Sequence, residues 1–264
     1  MAELYGAPEL RPLPSIGVLQ DGEFVVDGAP RNDDAPRKGN MCGRSPYTVA
    51  ASMNALWALR WQQGRLEEIK DAIVQVEEVS ARYAFLLPSL YRELDQREQA
   101  ARSYAALAED GFARLLERDA TGVSHLFCLA VLADAAAYLR DDEHASTLYD
   151  ALAPFAGRLA AVHPGLTAIA PVDQLLGQLS ATTGDRRRSE KHFRAALAQC
   201  HEIGARTLAV RTQVAYAETL LNAGDAAARD TATMLLATAA ETADELGMHG
   251  ITQRLERLAN GAIA

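Results

Sequence analysis

Residues 167–203 read TAIAPVDQLLGQLSATTGDRRRSEKHFRAALAQCHEI, and their reading decides the fold. Apolar residues recur at three- and four-residue intervals on either side of Gly184-Asp185, which is one face of a 3.6-residue period. The pattern predicts two helices, 167–183 and 187–203. A connection this short makes them antiparallel neighbours. Glycine tolerates the positive φ that closes the first helix, and the aspartate side chain caps the second.

The same unit extends outward in both directions. Gly224-Asp225 joins predicted helices 205–222 and 228–246. Arg140-Asp141 joins 121–139 and 143–155, and Asp95 opens the turn between 86–94, with Pro88 near its start, and 97–109. Further upstream a helix over 47–63 ends at Gly64, and a second begins near Leu66 with Ile69, Ile73, Val76 and Val79 on one face. A last helix over 250–260 can cap the stack. The turn aspartates Asp95, Asp141, Asp185 and Asp225 fall about 40 to 46 residues apart. Return helices carry a small residue, then a large one four positions on, then leucine: Ala100, Tyr104, Leu107; Ala145, Tyr149, Leu152; more loosely Ser189, Phe193, Leu197. The small residue admits a neighbouring helix and the large one fills the gap between hairpins. A hairpin recurring every 20 to 50 residues or so means a solenoid. The expected fold class is therefore all-α, a right-handed α-α superhelix of tetratricopeptide-like hairpins over 46–264.

Residues 1–45 differ in character. Six of the ten prolines lie at or before Pro46, and proline removes the donor a helix needs. The segment is expected to be irregular and poorly ordered, with one local hairpin in which 16–19 and 24–26 flank Gln20-Asp21-Gly22-Glu23. Residues 32–40 read as a linker.

Composition agrees with helix-on-helix packing: 49% of the 264 residues are hydrophobic, only 6% aromatic, with alanine and leucine dominant. The net charge of -9 opposes direct nucleic-acid binding. Cys42, Cys128 and Cys200 are far apart and form no CxxC, so neither a zinc knuckle nor a redox motif is written here. No basic and apolar leader opens the chain, and no apolar run approaches the ~20 residues that span a bilayer. A soluble, cytoplasmic protein without a membrane partner is expected.

The stretch Leu148-Tyr149-Asp150-Ala151-Leu152-Ala153-Pro154-Phe155-Ala156-Gly157 resembles a segment in the C-terminal helical repeats of large bacterial signalling ATPases. These include LuxR-type regulators of the STAND class and adenylate cyclases fused to AAA-type ATPase domains. Ala108-Glu109-Asp110-Gly111-Phe112 with Arg118-Asp119 is similar to the segment before it there, and Gly184-Asp185 with 191–197 to the hairpin after it. The likeness covers roughly 48–248. It implies a module that senses a ligand or partner, with the ATPase, cyclase and DNA-binding parts elsewhere, and it carries over no catalytic residue. This chain has no GxxxxGK[ST] loop; Arg37-Lys38-Gly39 has neither the spacing nor the preceding strand.

Candidate site residues follow from position. First helices of such hairpins line the concave side, so His125, Asp134, Tyr138, Asp173, Gln174, Gln213 and Tyr216 are candidates for a groove lining. Trp57 and Trp61 lie one turn apart beside Arg60; they either pack the terminal hairpin or offer a stacking platform. Arg186, Arg187, Arg188, Lys191 and Arg194 form the one cationic cluster, in which Arg187, Lys191 and Arg194 share a helix face, either a solvated face or an anion site. None of the six histidines forms an HxxxH or HExxH pair, so neither a metal nor a cofactor is implied. The expected function is a non-catalytic regulatory or scaffold module that binds a protein segment or small effector on its concave face. The alternative is an enzyme of small-molecule metabolism built on the same scaffold, with His125 or His163 beside a carboxylate in one deep pocket.

Overall fold

The computed structural model describes residues 18–20, 23–25, 56, 59–61, 65–70, 81–116, 123–163 and 167–262. The chain divides into two compact units, Met1–Ser45 and Pro46–Ala264. In the first, β1 (Val18–Gln20) pairs antiparallel with β2 (Glu23–Val25), and the register ends on Gln20↔Glu23.

The protein is mostly helical, with 81% of the described residues in helices. Ten helices lie in the second unit among the described residues. They are α1 (Leu87–Glu93), α2 (Arg97–Ala108), α3 (Ala113–Leu116), α4 (Val123–Leu139), α5 (Asp142–Leu152), α6 (Val172–Thr182), α7 (Arg186–Glu202), α8 (Arg206–Ala223), α9 (Ala226–Glu245) and α10 (His249–Ala262). Helices α1 and α2, α4 and α5, α6 and α7, and α8 and α9 pack as consecutive pairs. The first helices α1, α4, α6 and α8 touch in sequence and make an inner row. Each return helix packs on its own first helix and on the next, so α2 reaches α4, α5 reaches α6 and α7 reaches α8. Helix α10 packs on α8 and α9.

Burial follows from this layering. Inner helices are buried nearly all round: every residue from Phe127 to Ala133 of α4 and from Val172 to Ser180 of α6 is buried. Outer helices bury one stripe, as in α7, where Ser189, Phe193, Ala196 and Cys200 go in and the arginines stay out. The small-then-large pattern has a visible cause in α7. The Phe193 ring lies against Gly177 of α6 on one side and stacks on Tyr216 of α8 on the other, centroids 4.5 Å apart.

The turns are alike, with one shift of register. Arg140, Gly184 and Gly224 take positive φ, and the next residue, Asp141, Asp185 or Asp225, caps the return helix. These aspartates accept from the backbone N–H of His144 (3.3 Å), Arg188 (3.0 Å) and Ala228 (2.7 Å). Asp95 belongs with the positive-φ group (φ 59°), and Gln96 stands at the cap position without a side-chain bond. Asp95 is thus one residue out of step with the aspartates it resembles in spacing.

One predicted helix is partly a strand. The helix expected from residue 167 begins at Val172; β4 (Thr167–Pro171) pairs antiparallel with β3 (Leu159–His163) instead. Pro171 biases Ala170 away from the helical region and sits at the helix cap with extended ψ, while Thr167 and Ile169 are β-branched. The helix expected over 143–155 likewise ends at Leu152, and a single 3-10 turn, Ala153–Phe155, follows at Pro154. Of the helix expected over 47–63, Leu56, Leu59, Arg60 and Trp61 are helical; Ile73, Val76 and Val79 lie outside the described residues.

Candidate functional site

The inner helices carry polar side chains at positions where an apolar row would otherwise continue, and these meet. Arg92 of α1 donates to Asp134 of α4 at 2.5 Å. Gln178 of α6 donates to the other Asp134 oxygen (3.2 Å) and accepts from Gln174 (3.4 Å), whose own oxygen accepts from Thr212 of α8 (2.8 Å). Arg254 of α10 grips Glu218 of α8 with two parallel bonds of 2.7 Å and reaches Glu93 of α1 at 3.5 Å. Arg211 of α8 donates to the Trp61 carbonyl at 2.7 Å, and its guanidinium lies 3.3 Å from the centroid of the Trp61 ring. One polar chain therefore ties α1, α4, α6, α8 and α10 together.

Charge in this network is balanced, three arginines against three carboxylates, as buried ions require. Burial would raise the Glu93 carboxyl, but Arg254, then Arg211 and Arg92, and a hydrogen bond from Trp61 hold it below the ordinary carboxylate range. Arg211 goes the other way. Burial pulls it down to about 10, and Glu93 offsets that against the like charges of Arg254 and Arg92. Arg254 is shifted up: burial alone would lower it, and Glu218 and Glu93 prevail. A cavity of about 40 Å³ remains among Trp61, Arg92, Asp134, Gln174, Arg211 and Arg254. It has room for about one or two waters, and for no effector.

Beside this closed end runs an open groove of about 890 Å³, walled by the C-terminal ends of α4, α6 and α8 and the N-terminal turns of α7 and α9. A second arm of about 240 Å³ lies towards α1 and α2 and includes Arg97, Tyr138 and Glu218. The two share Arg140, Gln178, Thr219 and Asn222, so they adjoin. Within the groove Arg140 donates to Asn222, Arg186 pairs with Asp225, and Arg194 pairs with Glu190 at 2.5 Å.

The residues singled out from sequence separate into three groups. Asp134 and Gln174 belong to the ionic network, while Tyr138, Tyr216, Arg187 and Arg194 line the groove arms. The Tyr138 ring is flanked by the guanidiniums of Arg92 (5.6 Å) and Arg97 (5.1 Å). The third group lies elsewhere. His125 is buried in α4, Gln213 is half-buried on α8, Lys191 is exposed outside the groove wall, and Arg60 pairs with Glu68 at 3.3 Å. Asp173 accepts from the Gly157 N–H (2.7 Å) and bonds His192 (2.8 Å), whose other ring nitrogen meets the Tyr149 hydroxyl (2.9 Å). Trp57 and the His163 side chain lie outside the described residues. The sequence reading passed over Arg92, Glu93, Arg211, Glu218 and Arg254. The available signal was Arg211, a charge between the apolar flanks Leu208-Ala209-Val210 and Val214-Ala215-Tyr216-Ala217.

The histidine–carboxylate pairs among the described residues are His192–Asp173 and His144–Asp141, both at 2.8 Å. Asp141, Glu143 and His144 bring three potential metal-ligand atoms within 4.8 Å of one another. Asp141 is already engaged there as the α5 cap, by His144 and by the Tyr104 hydroxyl (2.7 Å), so the group serves as a helix start. Among the described residues no helix is long and apolar enough to cross a membrane. No family model matches the chain, and comparison with curated proteins and with solved structures finds no match either.

Proposed function

We propose that residues 46–264 form a right-handed superhelix of tetratricopeptide-like hairpins that acts as a non-catalytic, ligand- or protein-binding regulatory module in the cytoplasm. It would be related to the sensor repeats of bacterial LuxR-type regulators and ATPase-fused cyclases. The resemblance of 148–157 and 184–197 to those repeats supports the kinship. The observation that carries the binding role is the open groove of about 890 Å³ between the ends of the inner helices and the first turns of α7 and α9. Its wall combines arginines, amides, hydroxyls and alanines from α4, α6, α7, α8 and α9, the multi-unit lining by which repeat proteins recognise partners. Arg211 and Arg254, both shifted by their surroundings, belong to the closed ionic network, where they join helices.

An enzyme reading would start from Tyr149, His192 and Asp173. Their polar atoms are occupied by one another and by Gly157, on the return-helix side of the stack. The test is capture of metabolites and proteins from the native host by the wild-type chain and by Ala223→Trp. Ala223 is exposed on the groove wall, so the indole fills the groove without entering the core. The binding role predicts species held by the wild type and lost by the variant. Identical captures would remove the groove from consideration, and recovery of a turned-over metabolite alone would favour the enzyme.

A further inference from the structure

The groove does not share the charge of the chain around it. The whole protein carries -9, yet the wall of the larger arm holds four arginines, Arg140, Arg186, Arg187 and Arg194, against two carboxylates, Glu190 and Asp225. The carboxylates are matched to Arg194 and Arg186, and Arg140 has only the Asn222 amide. Arg187 is exposed on the wall and makes no hydrogen bond or ion pair with any described residue. Solvated arginines alone would be an ordinary surface. Tyr216 makes the difference. Its residue is only 8% exposed, its ring is fixed by stacking on Phe193, and it lines the same wall. Among the described residues nothing hydrogen-bonds its hydroxyl. Burial, then the Glu190 charge, push that phenol up, which keeps it a neutral donor. A rigid, largely buried ring whose hydroxyl opens onto a cation-rich groove is a placed donor for a ligand oxygen.

Resting on the groove reading above, we infer that the ligand is a small molecule bearing at least two oxyanion groups, carboxylate or phosphate, held by Arg187, Arg140 and the Tyr216 hydroxyl. Guanidinium forks match both groups. The volume of about 890 Å³ lies within the usual small-molecule range of ~300–1,000 Å³. Glu190 and Asp225 on the same wall act against a continuous polyanion and leave room for discrete anionic groups.

The test is calorimetric titration of the full chain with citrate, with inorganic pyrophosphate and with an octaglutamate peptide. At least one of the two small probes should bind, more weakly as salt rises. Arg140→Gln with Arg187→Gln should weaken that binding about tenfold or more, and Tyr216→Phe about threefold to tenfold. Arg102→Gln, exposed on α2 and outside both groove arms, should leave it unchanged. Circular dichroism confirms that each variant is folded. Absence of heat from both small probes overturns the inference. So does binding of the peptide alone, or a loss in Arg102→Gln equal to that of the groove variants. If the probes fail while Ala223→Trp still releases a captured partner, the binding role stands and only its anionic character falls.

Discussion

At the scale of single residues, Glu93 shows what holds the closed end together. A carboxylate this enclosed would be costly alone. It persists because Arg254 lies 3.5 Å away and Arg92 at the same distance, with Arg211 adding its field. Its folded-state pKa is therefore below the ordinary value of a glutamate. The unfolded chain then binds the proton more readily, so the stabilisation is complete above about pH 4.5 and is lost as pH falls through the lower folded value. Glu93→Gln should lower the urea midpoint at pH 7, and the gap from wild type should narrow as pH is taken from 7 towards 3. A gap that stays constant or widens on acidification would contradict the assigned role.

Gly177 and Phe193 carry the next argument, at the level of packed helices. A Cβ on Gly177 would lie 2.9 Å from one Phe193 ring carbon and 3.1 Å and 3.2 Å from two others. The ring cannot swing aside freely, since Tyr216 of α8 stacks on its other face. Two effects compete in Gly177→Ala. Helix propensity favours alanine by about 1 kcal/mol, and overpacking a fixed core costs about 1–3 kcal/mol. With the ring held on both sides the second should prevail, giving a net loss of about 1 kcal/mol by denaturant titration. Phe193→Leu should destabilise the wild type more than it does Gly177→Ala, which a double-mutant cycle reads directly. An alanine variant more stable than wild type would mean that α6 and α7 are not in close contact at this point. The same helices show where periodicity was sufficient. Gly184-Asp185 and Gly224-Asp225 mark their turns because positive φ and N-capping are local demands that few residue types meet. They also show where it failed. Thr167 to Pro171 looks like the start of a helix, but strand pairing with Leu159 to His163 offers its backbone another set of partners.

Over the whole second unit, the decisive contacts join its early and late helices. Arg211 donates to Trp61, 150 residues away in sequence, and Arg254 reaches Glu93 across 161. A chain of hairpins touching only its neighbours could unfold in stages. These long contacts couple early and late helices. Arg211→Met should cost about 2–4 kcal/mol, because the carboxylates of the network lose a compensating charge. It should also shift tryptophan emission, since the guanidinium lies on the Trp61 ring. An unchanged midpoint with unchanged emission would show that the contact is dispensable. From the sequence alone came the helical hairpins, their turn residues, the apolar stripes and, as candidates, Tyr138, Tyr216 and Arg187 of the groove arms and Asp134 and Gln174 of the ionic network. All of these depend on neighbours within one or two helical turns. Only the tertiary structure decided that Arg92, Arg211 and Arg254 turn inward, that Asp173 pairs with His192, and that Tyr216 leaves its hydroxyl unused. Those outcomes depend on how separate helices are superposed in space, and a periodicity of 3.6 residues carries no information about which distant charge a side chain will meet.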